Sequence, residues 1–152
     1  MELPKIIVDT REQEPFQFKG WPCLRRGLKT GDYSLKGYER RFAIERKSLE
    51  DLWSTLTVQE NYSRFRQELG RAQASCLSLS VLVEATPVRI AQTSHAYSKA
   101  NGFKVLDKFL RVCLEFGVAP LFGTDRSGAE LLALATLKAY HSAAKDGVLG
   151  AA

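Results

Sequence analysis

The sequence predicts an α/β domain in which helices flank a mixed β-sheet. Short runs of β-branched and apolar residues, typical of strands, occur several times before residue 48 and return at 77–84 and 118–122. Segments with helical periodicity separate the later strands and follow the last one. This order of elements is typical of a three-layer α/β or α+β domain.

The composition indicates one globular domain. The chain has 152 residues, of which 45% are hydrophobic and 26% charged, which argues against disorder. Its net charge of +5 is compatible with a polyanionic partner. The 3 cysteines lie far apart without histidine clusters, so neither a disulfide framework nor a structural zinc site is indicated. Without an apolar run of about 18 residues, no membrane span is expected. We expect an intracellular protein, in cytoplasm, nucleoid or host cytoplasm, that is not secreted.

The first predicted strand, Lys5 to Asp9, ends in a carboxylate. Its β-branched residues suit an inner strand whose C-terminal end delivers Asp9 to a site. Arg11 and Glu12 follow in a loop, and three charges at a strand end are also typical of a solvated turn. A second strand is predicted within Cys23 to Leu28.

A predicted hairpin brings two further carboxylates together. Gly31 allows a tight turn before a strand that begins near Asp32. A loop over Gly37 to Arg41 leads into the neighbouring strand, Phe42 to Lys47. Asp32 can therefore lie beside Glu45, although a residue in its position can also serve the turn alone.

The second hairpin strand carries Glu45 and Lys47 two residues apart. A period of two places both on one face, roughly 6 to 7 Å apart along the strand. In that position one side chain can hold a metal ion while the other meets a phosphate oxygen or the attacking water. The arrangement suits phosphodiester cleavage, and a plain ion pair on a half-exposed strand is the alternative.

Two capping sequences predict helices after this strand. Ser48 and Asp51 have the S-x-x-[DE] form, which makes Asp51 a helix cap as well as a candidate site residue. A second helix follows Thr57, where T-V-Q-E repeats the form.

Arg64 and Arg71 share a polar face of that second helix. They are candidates for DNA binding through phosphate contacts. The competing interpretation is ordinary helix-surface ion pairs with Glu60 and Glu68.

The second half of the chain completes the sheet and its helical cover. Leu77 to Glu84 is predicted as a central strand and Val118 to Phe122 as an edge strand. Between them, a helix over Phe103 to Phe116 should end at Gly117. Its predicted apolar face comprises Phe103, Leu106, Leu110 and Cys113, widened by Phe109 and Phe116.

Two further predictions concern the loops and the last helix. A helix should open with Ser127 as its cap, carry Leu131, Leu134 and Ala135, and run to about Ala144. His95 lies alone in a loop and is predicted to be a surface residue.

Four segments of the chain resemble the nuclease domain of the XPF family of structure-specific endonucleases. They follow, in order, the family pattern of V-D-x-R-E, G-D-Y and E-R-K-x-x-x-D, the last of which is highly specific. Similarity through the LVE strand and the FGVAPLF segment is looser, so that the resemblance covers most of the chain. The four segments are IIVDTREQ (Ile6 to Gln13), TGDYSL (Thr30 to Leu35), IERKSLEDL (Ile44 to Leu52) and RFRQELGRA (Arg64 to Ala72).

The resemblance implies a restriction-endonuclease-like core. It also implies a divalent-metal-dependent DNA endonuclease, using Mg²⁺ or Mn²⁺, that hydrolyses phosphodiester bonds at branched, flap or single-strand/double-strand junction DNA in repair or recombination. The alternative is a non-catalytic subunit of a repair or recombination complex that binds nucleic acid or a partner protein. RNA as substrate is a third interpretation.

The resemblance also implies roles for single residues. Asp32 and Glu45 correspond to metal ligands, and Asp9 and Asp51 to further metal or water-orienting carboxylates. Lys47 corresponds to the group that activates water or stabilises the charged phosphorane. Arg11 and Arg46 correspond to essential basic residues. Arg46, on the opposite strand face, can instead brace the site by pairing with Asp51 or a neighbouring loop.

The chain departs from the family pattern in its extent. Members commonly continue into a tandem helix-hairpin-helix module for duplex binding and dimerisation, and some carry a helicase. Residues 1–152 are expected to form a single nuclease domain of a microbial or viral type, without either module, and no G-x-x-x-x-G-K-[ST] motif occurs. A homodimer or a separate DNA-binding partner is the expected alternative source of such contacts.

Overall fold

Six strands form one mixed sheet in the computed structural model, which describes residues 2–94 and 100–149. The predicted surface residue His95 lies outside the described residues. The strands are β1 (Ile6–Val8), β2 (Cys23–Arg25), β3 (Tyr33–Leu35), β4 (Phe42–Lys47), β5 (Ser78–Val83) and β6 (Ala119–Phe122). The helices are α1 (Leu49–Thr57), α2 (Gln59–Ala74), α3 (Pro87–Gln92), α4 (Gly102–Phe116) and α5 (Arg126–Lys145).

The order of strands across the sheet is β2-β1-β3-β4-β5-β6. β3 runs antiparallel to β1 and β4, and the other neighbours pair in parallel. The predicted mixed sheet, inner first strand, central fifth strand and edge position of the last strand are confirmed. The long parallel ladder between β4 and β5 fixes the height at which the end of β4 meets the end of β5.

Helices cover both faces of the sheet, and the two cores separate alternate residues of β4. Ala43 belongs to the core under α1, α2 and α4, with Leu52, Phe65 and Phe109. Phe42 and Ile44 belong to the core under α5. The side chains of β4 alternate across the sheet. Glu45 and Lys47 therefore project towards the α1–α2 side, and Arg46 towards the α5 side.

The start of α2 differs from the prediction. Thr57 is the last residue of α1, and its hydroxyl donates to the Trp53 carbonyl at 2.6 Å instead of capping α2. Val58 closes α1 and opens α2 without a side-chain cap. The predicted cap was wrong because Thr57 is still part of α1 and its hydroxyl bonds within that helix.

The buried face of α4 differs in part from the prediction. Phe103 is 68% exposed, whereas Phe109 is buried as predicted, together with Val105 and Val112. The predicted face omitted the two valines, which together with Phe109 have the i, i+4 and i+7 spacing of a stripe against the sheet. Cys113 is buried as predicted.

α5 approaches the sheet through small residues. Its N-cap is Asp125, which accepts a hydrogen bond from the Gly128 N–H, so the predicted Ser127 cap was wrong. Ala129, Ala133 and Leu137 are buried, whereas Leu131 is 70% exposed. The close approach favours alanine over leucine at the contact, because Cβ alone fills the space.

Cys76 adopts a left-handed backbone after the end of α2, with φ of 56°. Glycine takes this conformation without a steric penalty. We expect Cys76→Gly to raise the free energy of unfolding by about 0.5 to 1 kcal/mol, because relief of about 1 to 2 kcal/mol of backbone strain outweighs the roughly 0.5 to 1 kcal/mol of extra backbone entropy that glycine loses on folding. Urea denaturation under reducing conditions measures the change. Cys76→Ala removes the same exposed thiol and keeps the strain. An equal gain in both variants would contradict the backbone explanation.

Candidate active site

The β3–β4 hairpin fixes Asp32 at the floor of a cleft. Asp32 immediately precedes β3, and its N–H donates to the Ile44 carbonyl at 2.7 Å. The Asp32 carboxylate accepts the Arg46 backbone N–H at 2.8 Å. Gly31 has φ of +86°, and a Cβ there would lie 2.8 Å from Ala43 Cβ. Only glycine fits this backbone path, which brings Asp32 close to β4.

Glu45 and Lys47 share the face of β4 that points into the cleft. Lys47 Nζ lies 3.8 Å from Glu45 Oε1, and the two side chains are only 14% and 13% exposed. The Phe65 ring centroid is 5.0 Å from Nζ and supports the ammonium from the α2 side. Glu45 and Lys47 thus lie on a common face, as predicted, and also form the ion pair that was the alternative interpretation.

Glu68 is a site residue that the sequence interpretation missed. It lines the cleft from α2, near enough to Glu45 to contribute to the raised pKa of that carboxyl. The sequence interpretation treated Glu68 as a partner of Arg71. Within 2–94 and 100–149 neither this pair nor Glu60 with Arg64 forms an ion pair. The sequence feature that could have identified Glu68 is its position four residues after Arg64, which places both side chains on one helix face.

Burial and mutual repulsion raise the pKa values of the carboxylates on the cleft floor. Burial raises the pKa of Asp32 to about 7, against the opposing hydrogen bond from the Arg46 N–H. Burial also raises the pKa of Glu45 well above its usual value, and the charges of Asp32 and Glu68 add to the shift. Such groups hold excess negative charge in a poorly solvated place.

Asp9 lines the same cleft but is already satisfied. Its carboxylate accepts bonds from Arg11 Nε at 2.8 Å and from the Leu28 N–H at 2.7 Å. Burial works to raise the pKa of Asp9, but these bonds outweigh it and hold the pKa below its usual value. Asp9 is therefore ionised and anchors Arg11, whose side chain is 70% exposed.

Arg46 lies behind the cleft as a brace. Its guanidinium binds Glu12 through two bonds of 2.8 and 2.6 Å and Glu84 through one of 2.6 Å. All three side chains are at most 10% exposed. Tyr33 donates to the same Glu12 carboxylate at 3.1 Å. Arg46 thus connects the loop after β1 to the end of β5, and its own backbone N–H holds the Asp32 carboxylate.

Asp51 is separated from the other predicted site residues. Its backbone N–H donates to Ser48 Oγ at 3.1 Å, and its carboxylate accepts the Ser48 N–H at 3.4 Å. These bonds form a capping box at the start of α1. Asp51 does not line the cleft. It is not among the partners of Arg46. A metal role for Asp51 stays a prediction.

The cleft has a volume of about 580 Å³ and is positively charged along its walls. Arg64 and Arg71 line it from one face of α2, and Arg64 donates to Asn61 Oδ1 at 3.1 Å. Lys29 and Arg11 line the other side. Among the residues that the structure describes, no three Asp, Glu, His or Cys side chains form a ready-made metal cage.

The raised pKa of Asp32 predicts a stability that falls as pH rises. Between its unfolded pKa near 3.8 and its folded pKa of about 7, the folded state keeps a proton that the unfolded chain has lost. In metal-free buffer, we expect the melting temperature to fall from pH 5 to pH 7.5, and to fall less in Asp32→Asn. The lowered pKa of His141 acts in the opposite direction, but equally in both proteins. Parallel pH profiles of wild type and variant would contradict this assignment.

A family model described as "ERCC4 domain" matches residues 8–143. No curated protein matches the chain. No helix among the described residues is both long and apolar enough to cross a membrane.

Solved structures include two that are similar to this chain, both of XPF from Aeropyrum pernix. The first has a TM-score of 0.69 at 19% identity, over 94% of this chain and 68% of that one. The second, a complex with DNA, has a TM-score of 0.69 at 19% identity, over 91% and 66% of the two chains. The mixed sheet flanked by helices is thus the restriction-endonuclease-like fold of XPF nuclease domains. Because the family model spans most of its length, the chain belongs to the ERCC4-domain family of structure-specific nucleases.

Proposed function

We propose that this chain is a divalent-metal-dependent DNA endonuclease that hydrolyses phosphodiester bonds. The observation that carries the proposal is the grouping of Asp32, Glu45 and Lys47 on the floor of a cleft whose walls hold Arg64 and Arg71. Carboxylates beside a lysine suit phosphodiester hydrolysis, and arginines along the approach suit a phosphate backbone.

The donor set on the cleft floor fits Mg²⁺ or Mn²⁺. Asp32 and Glu45 supply hard oxygen ligands. Burial, with neighbouring carboxylates adding to it, raises their pKa values, and a divalent cation would favour their ionised forms. Mg²⁺ is usually bound through one or two carboxylates together with water and substrate phosphate, so a preformed cage is not required. When bound, the metal would polarise the phosphate and lower the pKa of the attacking water.

The chain's own residues position the substrate and balance its charge. Lys47, supported by Phe65, can donate to a non-bridging phosphate oxygen or to the attacking water. Arg11 is fixed by Asp9 and by the Leu28 carbonyl, at 2.8 Å from its Nη2, and its exposed face can contact the adjacent phosphate. Arg64 and Arg71 would hold the strand along α2.

The proposed substrate is branched, flap or partly single-stranded DNA. The similarity to an XPF that is solved in complex with DNA supports a nucleic-acid substrate. A second copy of the chain or a separate partner would add duplex contacts beyond the cleft.

Cleavage of labelled fork, flap and duplex DNA with Mg²⁺ or Mn²⁺ tests the proposal. We expect metal-dependent products from at least one branched substrate, none in EDTA, and none with Glu45→Gln. The same substrates made of RNA test the choice of nucleic acid. If wild type cuts no substrate and matches Glu45→Gln, the enzyme proposal fails.

Calorimetric titration of Mg²⁺ separates the enzyme from a non-catalytic subunit. An enzyme should bind the ion, and Asp32→Asn should weaken that binding. Salt-dependent DNA affinity without Mg²⁺ binding or turnover would support the binding subunit instead.

A further inference from the structure

A second cavity adjoins the cleft. Like the cleft, it is lined by the loop before β3 and by the C-terminal end of α2. Its volume is about 450 Å³, within the range of about 300 to 1,000 Å³ that is typical of ligand pockets. Lys29 lines both the cleft and this second cavity. The end of α2 contributes Arg71 to the cleft and Ser75, one turn later, to the second cavity. A strand lying in the cleft would therefore continue into the second cavity.

The second cavity has an apolar side. Leu28, which is 6% exposed, and Leu77, which packs against the core under α2, both line it. Apolar side chains of this kind suit the flat face of a nucleobase or a deoxyribose. They offer few hydrogen bonds, so they would not distinguish one base from another.

The same cavity carries an excess of positive charge. Lys29 and Arg40 are exposed, and in the described part of the chain neither makes an ion pair or a side-chain hydrogen bond. Glu39, the one acid in the lining, is already bound by Arg26 at 3.1 Å and by the Gly37 N–H at 2.8 Å. Two cations thus remain available for an anion.

We propose that the second cavity binds one nucleotide of the strand that is cut, close to the scissile phosphate. Its base or sugar packs on Leu28 and Leu77, and its phosphate meets Lys29 and Arg40. The inference rests on the proposed nuclease function. The four residues from Arg71 to Ser75 span about 6 Å of helix, about two nucleotides at an axial spacing of ~3.4 Å. The bound nucleotide is therefore expected within about three nucleotides of the cut.

An abasic scan of the cut strand tests this assignment. A series of flap substrates carries one abasic site at successive positions, and kcat/KM is measured with Mg²⁺. For wild type, we expect one position within about three nucleotides of the cut to lower kcat/KM by about 5-fold or more, which is the lower end of the range for a base stacked on an aromatic side chain.

Two variants and a control connect that effect to the second cavity. Arg40→Ala and Leu77→Ala should cut intact DNA more slowly, and the abasic effect at that position should shrink to less than about 2-fold, as coupling requires. Arg111→Ala, an exposed basic residue of α4, should keep the wild-type profile. Because Leu77 packs against the core, its variant is checked by thermal melting, and Arg40 provides the test at the surface.

The outcomes separate the two proposals. If wild type cuts no substrate, both the nuclease function and this inference are overturned. If wild type cuts but no position is sensitive, or Arg40→Ala keeps the full abasic effect, only the second-cavity assignment is overturned.

Discussion

Replacement of Glu45 by glutamine is expected to lower kcat for DNA cleavage by about 10³-fold or more, equivalent to about 4 kcal/mol of transition-state stabilisation. The amide keeps the size of the side chain but loses the charge that would hold a divalent cation on the cleft floor. The measurement is single-turnover cleavage of a labelled flap at saturating Mg²⁺.

The same substitution should leave the protein folded and more stable at pH 8. Glu45 is mostly buried near Asp32 and Glu68, so neutralising it removes a desolvated charge and its repulsion. Glu60→Gln, an exposed carboxylate on the first turn of α2, is the matched control and should keep wild-type activity and melting temperature. Lost activity in both variants, or a destabilised Glu45→Gln, would contradict this account.

Replacement of Arg46 by alanine is expected to lower the free energy of unfolding by about 3 to 5 kcal/mol. It strands two carboxylates, Glu12 and Glu84, that are at most 10% exposed on their side chains. A loss of this size corresponds to a melting temperature lower by about 6 to 20 °C for a chain of this length. Thermal and urea denaturation at pH 7 measure it.

Arg66 provides the matched control for burial. Its guanidinium also binds one carboxylate through two bonds, those to Glu115 at 2.7 and 2.6 Å, but the side chains are 37% and 50% exposed. Water can replace these bonds when the arginine is removed, so Arg66→Ala should lose clearly less stability than Arg46→Ala. Equal losses would mean that burial does not set the strength of the brace.

The hairpin and its face assignment were predictable because they depend on local pattern. The alternation of β4 and the glycine turn before Asp32 are written within a few residues of sequence, and β4 begins and ends where the sequence indicated. The capping box at Ser48 and Asp51 is equally local. It was visible in the sequence as a competing role for Asp51.

Contacts made by packing were not predictable in the same way. Glu68 affects the pKa of Glu45 only because α2 packs on that side of the sheet, where Phe65 and Ala43 share one core. Glu84 meets Arg46 because β5 lies in register beside β4, 38 residues along the chain. Periodicity reports which residues share a face, but not which residue of another element that face will meet.

The cleft carboxylates and the Arg46 ion pairs are separate groups of residues. This separation has a consequence for copies of this domain that lose activity in evolution. A copy that needs only to bind DNA can replace Glu45 and gain stability. Replacing Arg46 would instead leave the buried carboxylates of Glu12 and Glu84 without their ion-pair partner and destabilise the fold. Inactive descendants should therefore keep Arg46, Glu12 and Glu84 while their cleft carboxylates drift. An arginine retained at position 46 between substituted positions 45 and 47 would then indicate that an active site has been lost.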